Sequence, residues 1–376
     1  MFADRKALTD FFYAPLEWEA SPDGEAADLH TSSWAEEMGL TRSPRTRRML
    51  AAWHLGTSCG NTLPRARGEA LNLVTDWVTW GFFTDHLHSV FAKTPMRSAP
   101  IFDDLLRTLW ADPFAPVPNG THSLSRALRS VMQRASQIMS EAWMARFRWE
   151  TGEMLLAFFR KARTIAEAGV LDLDTLMDIR RDDLGMLPPM NVIEVSEGFE
   201  IPPLIAGTYE FRRMRDLAND SVIFQNDIFS LSRDRADQAD CNTVLTLEQL
   251  HGRSTEEALA EVRGMYRDHL DAFALAKEKF MALCNGLGLG DNDLAHCAVF
   301  AADLEKVIPG TVHAHLAVVR YLAEGPAPFD PPAESELLTE YEDSRIGPFR
   351  DVAALPPYGS PATGPADVSA RAVPTA

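Results

Sequence analysis

Five long blocks of this chain, 70–91, 123–168, 217–234, 255–283 and 291–324, repeat apolar residues at the spacing of a buried helix face. A helix gathers residues three and four apart onto one stripe, whereas a half-buried strand needs strict alternation. Within 142–168, Trp143, Phe147, Met154, Leu155, Phe158 and Phe159 fall on the repeat with Arg and Glu between them. Alternating β-branched runs are almost lacking, and no Asn-Gly hairpin joins two such runs. Breakers separate the blocks: Asp112-Pro113 to Asn119-Gly120, Pro188-Pro189, Pro202-Pro203, and Gly286 to Gly290. The pattern predicts an all-α domain of roughly ten or more helices, several of them long. No internal repeat is evident.

At 376 residues and 46% apolar, the chain can bury a large core in one big helical domain or two smaller ones. Its net charge of −18, with no Lys/Arg-dense run, argues against nucleic-acid binding as the main role, which needs a basic footprint. An acidic protein can still hold a polyanion when divalent cations bring the positive charge. Cys59, Cys241, Cys284 and Cys297 show no zinc-type spacing and read as reduced core residues of a cytoplasmic protein. The N-terminus has no apolar signal core, and no stretch approaches the roughly 18 apolar residues of a membrane span. From Gly325 onward, ten of the chain's 24 prolines mix with Ala, Gly and Ser, so residues 325–376 are expected to be a mostly disordered tail.

One polar pattern stands out inside the apolar block 217–234. Asn226, Ser230 and Asp234 are spaced i, i+4 and i+8. At about 100° per residue, successive members drift by only about 40°, so their oxygens line one stripe of a helix. Val222, Ile223, Phe224, Ile228, Phe229 and Leu231 make the rest of that helix apolar. A buried polar stripe needs partners, and three hard oxygen donors suit Mg²⁺, which shares its shell with waters and substrate phosphates. Alone, such a stripe is more often a solvated helix face.

Two further sites give it context. Arg180-Arg181-Asp182-Asp183 ends a helical block 46 residues before Asn226, and Arg320-Tyr321 ends the last one. With the stripe, these residues resemble a bacterial class I terpene synthase over residues 11 to 324. His30-x-x-Ser33-Trp34, the Asp76-Trp77-x-x-Trp80-Gly81-Phe82-Phe83 run, Arg146-Phe147 and Asn242 add to the likeness. The resemblance implies an isoprenoid-synthase helical bundle: an N-terminal capping segment (1–24), a catalytic domain (25–324) and the tail. It implies that Asn226, Ser230, Asp234 and, from the first metal motif, Asp85 hold Mg²⁺, three ions in all, with Mn²⁺ as an alternative. Arg180 would sense the substrate diphosphate, Asp183 would link the sensor to a helix break, and Leu184 would point its carbonyl at the nascent cation. Arg320 and Tyr321 would close over the diphosphate, and Arg233 would add a further cation. Trp80, Phe82, Phe83, Phe159 and Ala314 are the expected walls of the hydrocarbon pocket, since aromatic faces stabilise carbocations. The partner is a prenyl diphosphate, farnesyl by default; a homodimer is compatible with this reading.

The chain departs from the family pattern twice. The first metal motif is normally rich in aspartate, but here it reads Asp85-His86-Leu87-His88-Ser89, with one carboxylate. His86 and His88 are two apart and point to different helix faces, which argues against a two-His metal site. In the last helix Ala314 stands where the family commonly has Trp, which enlarges the expected pocket and makes geranylgeranyl diphosphate a serious alternative. The rivals are a chain-elongating prenyltransferase, which needs two Asp-rich motifs that this chain lacks, and a weakened family member that binds a prenyl diphosphate without turning it over.

Overall fold

The computed structural model describes residues 5–12, 16–90, 99–118, 120–236 and 241–318. Among them are fifteen helices and no strand. In chain order they are α1 (Arg5–Phe11), α2 (Gly24–Met38), α3 (Pro44–Trp53), α4 (Leu55–Thr62), α5 (Gly68–Val90), α6 (Ala99–Trp110), α7 (Ser123–Ile138) and α8 (Glu141–Ala168). There follow α9 (Leu173–Asp183), α10 (Leu187–Glu197), α11 (Pro203–Ala206), α12 (Tyr209–Ala236), α13 (Thr243–His251), α14 (Thr255–Gly286) and α15 (Asp291–Ala317). No helix among the described residues is long and apolar enough to cross a membrane. Arg320, Tyr321 and the Pro-rich tail lie outside the described residues.

The block 123–168 is two helices rather than one. The chain turns at Met139 and Ser140, where Glu200 accepts both the backbone N–H and the hydroxyl of Ser140. That side chain comes from 60 residues away, so local periodicity could not show the break.

Helix α12 is the centre of the bundle and packs against α14, α15, α13, α9 and α10. From Leu217 to Leu231 every residue except Asn226 is buried. Polar residues such as Asn219, Asp220, Gln225 and Asp227 are buried along with its apolar ones, and each fully buried Phe or Leu contributes roughly 2 kcal/mol of hydrophobic stabilisation. Two apolar clusters result. One joins α12, α14 and α15 to α9 and α10; the other joins α5, α6, α7 and α8.

Short helix α4 is wedged between α2 and α15 with its backbone in direct contact with both. A Cβ on Gly56 would fall 2.3 Å from the Asp28 backbone nitrogen, and one on Gly310 would fall 2.2 Å from the Asn61 carbonyl oxygen. His54, at the start of α4, gives no side-chain cap. Asp28 of α2 does that work from outside: its carboxylate accepts Gly56 N–H at 2.6 Å, Thr57 N–H at 3.2 Å and the Thr57 hydroxyl at 2.7 Å. A carboxylate at a helix N-terminus satisfies orphan donors and complements the dipole.

Helix α9 stops at Leu184 because Gly185 turns left-handed (φ +69°) and Pro188 and Pro189 can only begin a new helix. The N-terminal segment packs on α12, α14 and α15: Phe12 stacks on Phe229 at 5.7 Å, and Trp18 stacks on His313 at 3.7 Å.

Candidate functional site

The Asn226–Ser230–Asp234 stripe lies on one face of α12, and its members are tied to one another and to neighbouring helices. The Ser230 hydroxyl donates to Asp234 Oδ2 at 2.5 Å. Asn242 Nδ2 donates to the same oxygen at 2.9 Å and to the Asp227 carbonyl at 2.7 Å. The Asn242 Oδ1 meanwhile accepts the Val244 N–H that opens α13, so one amide caps a helix and fixes Asp234. Arg233 reaches Asp234 Oδ1 through Nη2 at 3.0 Å.

Arg180, buried at the end of α9, faces this stripe. Its Nη1 donates to Asp183 at 2.8 Å, and its Nη2 donates to Asn226 Oδ1 at 2.9 Å and Asp227 Oδ1 at 2.7 Å. Burial works against its charge, but Asp227 and Asp183 more than offset that and hold its pKa well above the ordinary value. Asp183 is bridged from its other oxygen by Lys161 of α8, at 2.7 Å. Burial would raise the Asp183 pKa, yet Lys161 and Arg180 reverse the effect and leave it below the usual carboxylate range. Asp85, on α5, is partly buried and lies within electrostatic reach of both Lys161 and Asp183.

On the other side of Asn226 stands His315 of α15, 6% exposed. Its Nδ1 is 2.7 Å from the Thr311 carbonyl and its Nε2 is 3.3 Å from Asn226 Nδ2. The ring stacks on Phe229 at 4.9 Å, and burial pushes its pKa down to about 4.

Asn226, Thr311 and His315 also line a cavity between the two apolar clusters. Its free volume is about 110 Å³, it opens in part to solvent, and its walls are otherwise mostly apolar: Phe82, Val78 and Val74 from α5, Leu184 and Met186 from the α9–α10 break, Leu55 and Cys59 from α4 with Leu63 just after it, and Ala314. An apolar lining with a few polar groups is typical of a small-molecule site. A few polar groups, Ser58 and Thr62 of α4 included, therefore interrupt an otherwise apolar chamber, and Asn226 joins it to the stripe.

Of the expected walls, Phe82 and Ala314 line the cavity, as does Leu184. Trp80, Phe83 and Phe159 do not. Trp80 is fully buried and spends its indole N–H on the Leu124 carbonyl at 3.1 Å; Phe83 packs on Trp53, and Phe159 on Phe102. Helical spacing marks all of them as inward-facing, but α5 and α8 have a second core behind the cavity, and these rings fill it. Arg320 and Tyr321 fall outside the described residues, as do the side chains of His88 and Ser89. Sequence reasoning passed over Lys161, His315 and the α4 wall. None carries a local signal, because each reaches the site only through packing of distant helices.

The donor set fits a hard divalent cation: an amide, a hydroxyl and a carboxylate oxygen on one rigid helix face, with Asp234 held by hydrogen bonds from Ser230, Asn242 and Arg233. Asn226 Oδ1 has two lone pairs, and Arg180 draws on one of them. No group of three His, Cys, Asp or Glu side chains that could hold a metal occurs among the described residues, so any ion here depends on the amide and hydroxyl as well.

Residues 76–272 match the profile of the terpene synthase family 2 C-terminal metal-binding domain, a family that uses divalent metal. The chain is 26% identical over 330 residues to isoafricanol synthase of Streptomyces violaceusniger, covering 85% of each protein. It is 27% identical over 280 residues to a (−)-β-caryophyllene synthase of Saccharothrix espanaensis described as (2E,6E)-farnesyl diphosphate cyclizing, covering 74% of this chain and 78% of that one. Among solved structures, α-eudesmol synthase superposes with a TM-score of 0.71 at 26% identity, covering 81% of this chain and 98% of that one. With more than half of its length matched by the family profile and the all-α bundle shared with solved members, the chain belongs to the terpene synthases, of the bacterial class I type.

Proposed function

We propose that the enzyme ionises and cyclises a linear prenyl diphosphate, farnesyl diphosphate in the first place, with Mg²⁺ as the working ion and diphosphate as the second product. The observation that carries this reading is Asn226, which belongs at once to the oxygen stripe and to the wall of the apolar cavity. A substrate with an anionic head and a hydrocarbon tail fits that junction. Farnesyl diphosphate is favoured because the caryophyllene synthase relative is described as cyclising it.

Bound at Asn226, Ser230, Asp234 and Asp85, divalent ions would neutralise the departing diphosphate. The chain's own residues do the rest. Arg180 and Arg233, at the stripe, donate charge-assisted hydrogen bonds to diphosphate oxygens, and Lys161 adds an ammonium on the Asp85 side. Asp183 holds Arg180 and Lys161 apart and aimed. From the family resemblance, Arg320 and Tyr321 would add two further donors to the head group. Leu184 ends α9, where carbonyls run out of intrahelical partners, and offers its carbonyl dipole to the allylic cation. Phe82 lends an aromatic face, and the apolar walls keep water from quenching the cation early.

Ala314 supports a second reading, in which the wider chamber takes geranylgeranyl diphosphate. The lone carboxylate Asp85 supports a third, a protein that binds a prenyl diphosphate with little turnover. Incubation with each diphosphate in Mg²⁺ or Mn²⁺, with products read by mass spectrometry, separates the three. A farnesyl-derived cyclic product in Mg²⁺ supports the proposal. Product from geranylgeranyl diphosphate alone, or none from either substrate, overturns it.

A further inference from the structure

His315 has no part in the chemistry set out above, yet its surroundings fix the state of a residue that does. The Thr311 carbonyl, 2.7 Å from Nδ1, can only accept a hydrogen bond, so Nδ1 carries the proton and the neutral ring offers a lone pair at Nε2. Nε2 lies 3.3 Å from the Asn226 side-chain nitrogen, which must therefore donate to it. On the far side of the same amide stands Arg180 Nη2, a donor with no accepting capacity, 2.9 Å from Asn226 Oδ1. Turning the amide over would set its NH₂ against a guanidinium N–H and its oxygen against the imidazole lone pair. Both neighbours reject the flipped form.

We infer that His315 is a positioning residue for the metal site: it holds the Asn226 carboxamide so that oxygen, and never the NH₂, is presented to the cation. The need for such a device is specific to asparagine. A carboxylate offers an oxygen either way up, whereas an amide offers one only in one of its two orientations. Partners that orient ligands in this way typically change metal affinity by about 10- to 100-fold. The chain of control runs from a backbone carbonyl of α15, through an imidazole tautomer, to a ligand on α12. The ring also stacks on Phe229, so a purely structural role has to be separated from the orienting one.

The inference rests on the metal reading of the stripe, and a double-mutant cycle tests the two apart. Mg²⁺ affinity is measured by calorimetry at saturating inorganic pyrophosphate for the parent, His315→Phe, Asn226→Asp and the double variant. His315→Phe keeps a ring against Phe229 and removes the acceptor; should it not fold, His315→Met takes its place in the cycle. With Asn226 in place, losing the imidazole should weaken Mg²⁺ binding about tenfold or more. In the Asn226→Asp background the same change should cost less than about threefold, because no orientation is left to lose. His315→Gln, whose side-chain oxygen can accept the same N–H, should stay within about threefold of the parent. Equal losses in both backgrounds, or no loss in the first, would overturn the inference while leaving the metal site standing. A parent that binds no Mg²⁺ with pyrophosphate would overturn the site itself, and this inference with it.

Discussion

Arg180 makes three charge-assisted contacts from a buried position, and its partners Asn226, Asp227 and Asp183 bring α12 and the end of α9 to one guanidinium. Around it, single residues carry separable parts of the chemistry. Asp234→Ala should lower turnover at least about a hundredfold while leaving the circular dichroism spectrum unchanged, since the ion would lose its charged ligand on α12. Near-normal turnover with unchanged Mg²⁺ dependence would reduce the stripe to a polar helix face. Lys161→Met should weaken binding of inorganic pyrophosphate about tenfold or more by calorimetry, the worth of one charged hydrogen bond in a desolvated site, while Lys161→Arg should retain most of it. Unchanged affinity in the methionine variant would mean that Lys161 only neutralises Asp183. Residues at this scale were legible in the sequence where their relation is local. Asn226, Ser230 and Asp234 share a stripe by helix geometry alone. His315 meets Asn226 from 89 residues away, and Lys161 reaches the site through Asp183, 22 residues on, and no spacing rule reports either contact.

Helices position the site through a few close contacts. The α4–α15 seam has backbone against backbone at Gly310, where a methyl group would sit 2.2 Å from the Asn61 carbonyl oxygen. No rotamer relieves that clash, so Gly310→Ala should cost roughly 1–3 kcal/mol in chemical denaturation as the helices part. A variant as stable as the parent would show that the seam has room to yield. On α12, buried Asp220 anchors α9 and α14 through Arg181 at 2.7 Å and His269 at 3.5 Å. Burial raises its pKa, but the bonds from His269 and Arg181 prevail and keep it below the usual carboxylate range. The folded protein thus gives up this proton at lower pH than the unfolded chain does. The stabilisation is complete above about pH 4, the unfolded pKa, and fades as pH falls through the lowered folded value. Asp220→Asn should therefore cost roughly 3 kcal/mol at pH 7, with the gap to the parent closing below about pH 4. A gap constant over that range would assign the loss to packing. The long helices were readable from apolar period alone. The turn between α7 and α8 was not, since Glu200 supplies the partner for Ser140 from a different part of the chain.

The molecule as a whole, over its described residues, is two apolar clusters meeting around a mostly apolar chamber. A ligand seated there touches elements of both clusters, so Mg²⁺ with pyrophosphate should raise the melting temperature of the parent. At a hundredfold excess over Kd the stabilisation is about 2.7 kcal/mol, or roughly 5 °C for a domain of this size. The absence of any shift at millimolar pyrophosphate would count against the site. Fold class followed from the sequence because helical period is written into every long block. The second core behind the chamber was not readable, and that is why Trp80, Phe83 and Phe159 were expected on the wrong side of their helices. The seams at Gly56 and Gly310 have one more consequence, for how such an enzyme changes over time. The wall formed by α4 and α15 owes its spacing to main-chain atoms, which stay in place under any substitution that spares the seam glycines. Heritable variation in chamber shape is therefore left to the side chains that line it, Phe82 and Ala314 among them, rather than to the spacing of these helices. A lineage can explore new carbon skeletons at those positions while the rest of the chamber is inherited intact.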